Sequence, residues 1–315
     1  MASLYDILTI NPNLTRREAI KTIGAIGMAL IMPNPKSDYY EVIIPRKRQQ
    51  YLEQLVKSKP FPYVNRVIYD HDTSLIRKLP DIYTKRAFDD PQFLKSLFDL
   101  SPSAQESGIT QKDIEECLKS SECREEGINS FRVLLEKELD DELAGGGAVT
   151  PFYPFDFGKG IKSDIYLLSR AFEKIVIITA QKKIEVPIEE RIRAILRHEH
   201  THAEDIYKGI KLDDGLILDS SNYVMINPKV RRFVLETRAY LAQIDFASKQ
   251  FGEKHPAYIM SLLDLLQYSM DSEDLIDTKK QNKEFKYYEK RLIEFQMNKI
   301  KSELKLSSGF LRFSQ

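Results

Sequence analysis

The stretch Val186-Pro-Ile-Glu-Glu-Arg-Ile-Arg-Ala-Ile-Leu-Arg-His-Glu-His-Thr-His-Ala-Glu-Asp-Ile-Tyr-Lys-Gly209 decides how this chain is read. Pro187 suits a first helical position, and Glu189 and Glu190 put acids in the first turn, where the helix dipole favours them. Ile188, Ile192, Ile195, Glu199, His202 and Ile206 recur at spacings of three and four, and Gly209 after Lys208 is a natural stop. The spacing predicts one amphipathic helix over residues 187–208. His198, Glu199 and His202 then spell H-E-x-x-H on its inward stripe, where two imidazoles and a carboxylate are expensive to bury without partners. A metal ion supplies the partner, because histidines four apart share a helix face. A zinc ion held by two imidazoles keeps room for a third protein ligand and a water, whose proton Glu199 can take. His200 is turned away from both motif histidines and reads as exposed or lying behind the ligands. A solvent-facing His/Glu cluster is the bland alternative; it fits less well because the apolar stripe passes through the motif.

The third ligand has to come from farther along. A histidine on the same segment is excluded, because Asp205 and Lys208 stand where H-E-x-x-H-x-x-G-x-x-H requires Gly and His. Asn227-Pro228 opens a second helix, which closes before Gly252. Val230, Phe233, Val234, Thr237, Tyr240, Leu241 and Ile244 form its apolar stripe, and Glu236 lies at the edge of that stripe, able to face the first helix. Its alternative is a surface carboxylate pairing with Arg232 or Tyr240. An oxyanion needs a donor, and Tyr240, one turn beyond Glu236, is the first choice; His255, Tyr223 and Arg238 are weaker candidates.

With these residues in place, the chain resembles the gluzincin metallopeptidases, the thermolysin-like clan in which H-E-x-x-H on one helix is completed by a glutamate on the next. The resemblance runs from Pro187 to Gly252. It implies a zinc peptidase acting on a peptide or protein substrate, with His198, His202 and Glu236 as Zn2+ ligands and Glu199 as general base. The aspartate that many members carry four residues after their glutamate is Tyr240 here, which leaves the orientation of a zinc histidine unassigned. Upstream, Lys174-Ile-Val-Ile-Ile-Thr-Ala180 reads as a short strand. The resemblance implies an edge strand that pairs with extended peptides; otherwise it is an ordinary buried strand. Gly215-Leu-Ile-Leu218, between the helices, is expected to wall the site.

The rest of the chain sets bounds. With 315 residues, 42% of them hydrophobic, it can bury a core as one large or two modest domains. Acids and bases balance at 47 each, so no global field calls for nucleic acid. The C-terminal stretch from Lys279 to Lys305 interleaves charge with apolar residues at helical spacing, a solvated helix face. At the N-terminus, Arg16-Arg17 and Lys21 precede eleven uncharged residues, Thr22 to Met32. This resembles a twin-arginine export signal, implying a periplasmic or extracellular protein whose membrane contact is confined to that segment; the run is short for a membrane span. The alternative is an amphipathic N-terminal helix of a cytoplasmic protein. Cys117 and Cys123 can close a small loop only if their helix breaks. Residues 38–143 read as mostly helical, broken at prolines; Gly145-Gly-Gly147 looks like a boundary, and the aromatic segment Phe152 to Phe157 could pack over the catalytic half.

The expected architecture is therefore α+β and predominantly helical. A signal segment (1–35) and a helical region (36–147) precede a metallopeptidase domain (148–315) with a zincin-like core, in which a short edge strand comes before the H-E-x-x-H helix and a glutamate-bearing helix after it. The rival from another class is a non-catalytic helical binding protein with a structural metal site or none; a fourth protein ligand would mark it.

Overall fold

A computed structural model describes residues 43–58, 61–90, 112, 116–117, 119–178, 183–211, 217–220, 222–223, 226–272, 275 and 286–313. The twin-arginine segment lies outside them. In chain order the elements are helix α1 (Ile43–Ser58), strand β1 (Val64–Tyr69), helices α2 (Leu79–Asp89) and α3 (Ser121–Gly145), strands β2 (Ala148–Val149), β3 (Ser163–Leu167), β4 (Ile175–Ile178) and β5 (Lys183–Val186), helix α4 (Ile188–Lys208), strands β6 (Ile210–Lys211) and β7 (Ile217–Leu218), and helices α5 (Pro228–Phe251), α6 (Pro256–Asp271) and α7 (Tyr287–Phe313). The described chain is thus α+β and mostly helical. None of its helices is long and apolar enough to cross a membrane.

The described residues divide into two compact units, one made of 172–202 and 227–313, the other of 43–171 and 203–226. The second unit contains a three-stranded sheet in the order β1-β3-β2, with β1 and β3 parallel and β2 antiparallel to β3. Strand β1 departs from the mostly helical reading of residues 38–143, and its partner β3 lies beyond that stretch. Their pairing, Val67 opposite Ile165 and Ile68 opposite Tyr166, joins segments about a hundred residues apart, and no local signal carries such a partnership. Asp70, buried at the end of β1, accepts hydrogen bonds from the Leu75 and Ile76 N–H groups and so fixes the turn into α2. Ile76, Leu139, Val149, Tyr166 and Leu168 form one apolar cluster, and Ala87, Phe88, Tyr153 and Phe155 another. The aromatic segment therefore packs inside this unit, where Arg86 and Asp156 form a bidentate ion pair beside it. Gly145–Gly147 also falls within this unit. Of the Gly215–Leu218 run, Ile217 and Leu218 form β7, which pairs antiparallel with β6. Gly209 ends α4 with φ +72°, and a Cβ there would meet the Leu218 carbonyl oxygen at 2.6 Å, so glycine is required twice over. The cysteines are joined as a disulfide, and the helix does break between them, at Lys119–Ser120.

The first unit holds the metal-type motif. Strand β4 covers the core of the run read as a strand and forms an antiparallel hairpin with β5, Ile175 opposite Val186. Ile177 and Val186 pack on Ala257 and Met260 at the start of α6, with Ile175, Ile184 and Phe251 around them. Helix α5 packs against both α6 and α7. Its start is capped as the sequence suggests: Asn227 Oδ1 accepts from Lys229 N at 3.0 Å, Pro228 occupies the first turn, and Gly252 ends the helix at φ +87°. Glu289 at the start of α7 accepts from the Asn227 N–H at 2.7 Å and from the Lys286 N–H at 2.8 Å, tying the two helix starts together. The C-terminal stretch is only partly a solvated face, because Leu292, Ile293, Gln296 and Ile300 on α7 are buried.

Candidate metal centre

Helix α4 brings His198 and His202 to one face, and their Nε2 atoms come within 3.1 Å of each other. Glu236 meets them from α5: its Oε2 lies 3.3 Å from His198 Nε2 and its Oε1 3.8 Å from His202 Nε2. Glu236 thus faces the first helix and is not a plain surface acid. These three residues could hold a metal ion. Donor atoms around a tetrahedral zinc with bonds of about 2.05 Å stand about 3.3 Å apart, a spacing the three separations here bracket. A further sign of fit is His198 Nδ1, a buried atom without a hydrogen-bond partner; a ring bound through Nε2 keeps its proton on the other nitrogen.

Electrostatics distinguish the two rings. For His198, burial opposes the positive charge, but the Glu236 carboxylate, by hydrogen bond and by charge, outweighs it and holds the pKa above the ordinary histidine value. For His202, burial dominates, Glu236 is farther away and the charge of His198 repels, so its pKa is pushed down to about 4. Burial also opposes the charge of Glu236, yet the two imidazoles and Arg232 hold it down to about 2. Bound metal requires neutral imidazole and ionised carboxylate. Near pH 5 His202 and Glu236 already satisfy this, while His198 carries a proton until the pH rises through its raised pKa. Below that pKa, zinc binding is expected to release about one proton from this triad, and zinc affinity to fall about tenfold per pH unit. Calorimetry in two buffers of different ionisation enthalpy measures the proton; no release at pH 5 would contradict this charge state.

Glu199, buried at 6% exposure, follows His198 on α4 and acts electrostatically on both His198 and Tyr240. The Tyr240 ring packs edge-on to His198 at 4.5 Å between centroids, and burial first, then Glu236, pushes its hydroxyl pKa up, so it keeps its proton as a donor must. Tyr223 stacks on Phe157 in the second unit. His255 Nδ1 accepts from the Ala257 N–H at the start of α6. Arg238, two residues past Glu236, belongs to another side of α5.

Burial on α4 removes the exposed reading of His200 and departs from the expected stripe at Ile188. His200 is buried, with Nδ1 3.0 Å from Arg197 Nη1, and Ile188 is 42% exposed. The helix is covered on more than one side, so buried positions extend beyond a single stripe, while its first residue frays outward. Sequence reading also passed over Asp264 and Tyr268 on α6. Tyr268 lies 5.5 Å from Tyr240 and acts on Glu236; Asp264 acts on His198 and Arg191. Helix α6 carries no motif, and only the four-residue spacing of these two polar side chains on an apolar helix hinted at a special face. No protein-family model, curated protein or solved structure matches this chain.

Proposed function

We propose that the chain is a zinc-dependent peptidase with a zincin-like core, of the gluzincin type, which hydrolyses peptide bonds in a peptide or protein substrate. The observation that carries this reading is the meeting of Glu236 from α5 with His198 and His202 from α4. Among the described residues the group has three members, which favours an open, catalytic arrangement over a closed structural one. The three ligands would hold zinc, which when bound supplies Lewis acidity to the scissile carbonyl and acidifies water. Glu199 takes the proton of the attacking water on its carboxylate and delivers it to the leaving amine. Tyr240 donates its hydroxyl proton in a hydrogen bond to the oxygen that gains charge, and its place beside His198 aims it at the same centre. Strand β4 is paired on one side by β5, and its other edge receives an extended peptide through main-chain hydrogen bonds.

The test is metal content together with hydrolysis. The purified protein is expected to hold about one zinc per chain, lose peptidase activity on chelation and regain it with added zinc. Protein that stays free of metal under zinc-replete conditions, or whose hydrolysis survives complete removal, would sink the reading.

A further inference from the structure

The second unit has a cleft of its own, and we infer that it binds a small monocarboxylate with an aromatic or apolar body, drawing on donors from Lys162, Tyr83 and Tyr166. The cleft has a volume of about 200 Å³. All its lining residues belong to this unit, whereas His198, His202 and Glu236 belong to the first. Pockets for drug-sized ligands run from about 300 to 1,000 Å³, so this one suits a molecule with a single ring. The sequence explains why these side chains meet. Lys162, Asp164 and Tyr166 alternate into and along β3, which puts them on one face of the strand. Leu79, Tyr83 and Arg86 follow one another at spacings of four and three on α2 and form one stripe of that helix. Phe152 and Tyr153, from the aromatic segment, complete the wall.

Charge decides the class of ligand. Asp156 is engaged by the bidentate Arg86 guanidinium, which also covers the Tyr153 ring with Cζ 4.4 Å from the centroid. Asp164 accepts from Arg66 Nη2 at 2.6 Å and from Asn65 Nδ2 at 2.9 Å. Aromatic walls with two acids would ordinarily suit an ammonium ligand. Here both acids are already neutralised, and a resident guanidinium holds one of the ring faces. What remains is donors. Lys162 is exposed and makes no ion pair among the described residues. The Tyr83 and Tyr166 hydroxyls likewise make no hydrogen bond among the described residues, and phenols keep their protons at neutral pH. With Arg86 set against Asp156 and Arg66 against Asp164, Lys162 is the cation left over. One ammonium and two hydroxyl donors beside the apolar faces of Leu79 and Phe152 match a carboxylate carried on an apolar body.

Calorimetric titration of the full chain with three probes of one size separates the classes: phenylacetate, its uncharged counterpart phenylacetamide, and the cation phenethylamine. Phenylacetate is expected to bind saturably with a dissociation constant of about 1 mM, about tenfold tighter than either of the others. In Lys162→Gln its binding should weaken about three- to tenfold, and in Tyr83→Phe by a similar factor. Lys162 is an exposed side chain, and its replacement leaves the Arg86–Asp156 and Arg66–Asp164 pairs in place, so this variant carries the test even if the tyrosine variant folds poorly. Proton NMR should show contacts from the ring of bound phenylacetate to the Phe152 and Tyr83 rings. Absence of saturation at concentrations well above millimolar overturns the inference. So does amide or amine binding as tight as that of phenylacetate, or unchanged phenylacetate affinity in Lys162→Gln.

Discussion

Glu199→Gln is expected to keep its zinc and lose about 10²- to 10⁴-fold in turnover of a peptide substrate. The substitution is nearly isosteric at a site 6% exposed, and it leaves the three converging side chains, His198, His202 and Glu236, untouched. What disappears is an oxygen able to accept a proton beside the metal group and deliver it again. The loss should therefore lie in kcat, with substrate binding little changed. Metal analysis and steady-state kinetics on the same preparation make the comparison. If Glu199→Gln turns over at the wild-type rate with zinc in place, the proton is handled elsewhere and the hydrolytic proposal loses its base. If the variant instead loses zinc, Glu199 belongs to the ligand network.

Much of this site is written in local sequence, and the parts that are not share one property. Helices α4 and α5 announce themselves by features confined to a turn: Pro187 with its two glutamates, and Asn227 whose side chain does cap the Lys229 N–H. Glu236 could be placed because a residue at the edge of an apolar stripe has few directions open to it. Pairing across the chain left no such trace. The parallel contact of β1 with β3 depends on segments that meet only after folding, and β5, the hairpin partner of β4, went unread. The burial of His200 was not decided by the sequence for a related reason. A periodic pattern describes one buried face, whereas α4 is covered on several, and the number of faces covered is a tertiary property. Asp264 lies at that limit too: it belongs to an apolar helix with no motif, and its contact with Gln243 on α5 forms only in the folded chain.

The contrast between Glu236→Ala and Glu204→Ala separates a three-ligand centre from a pair of neighbouring histidines. Both substitutions remove one negative charge, so a general electrostatic effect on zinc predicts similar losses. A ligand predicts very different ones. Glu236 Oε2 lies 3.3 Å from His198 Nε2, and the two rings hold its carboxylate ionised down to about pH 2, ready for a cation without a proton to displace. Glu204 instead pairs along the helix surface with Lys208, Nζ to Oε1 2.7 Å. An exposed pair of that kind contributes about 0.3–0.5 kcal/mol to the helix, and its loss should leave zinc affinity within about twofold. Removing a ligand leaves two imidazoles to hold the ion, and zinc binding should weaken by about three orders of magnitude, or about 4 kcal/mol at about 1.4 kcal/mol per decade. Without zinc the loss of Glu236 has a second signature. The His198 pKa is raised chiefly by that carboxylate acting against burial, so in Glu236→Ala it should fall below its wild-type value, which proton NMR of the imidazole detects. Equal zinc affinity in the two variants would place the third ligand elsewhere. Unequal affinity together with a lowered His198 pKa would tie the metal and the proton to the same carboxylate, from two measurements that share no assumption about catalysis.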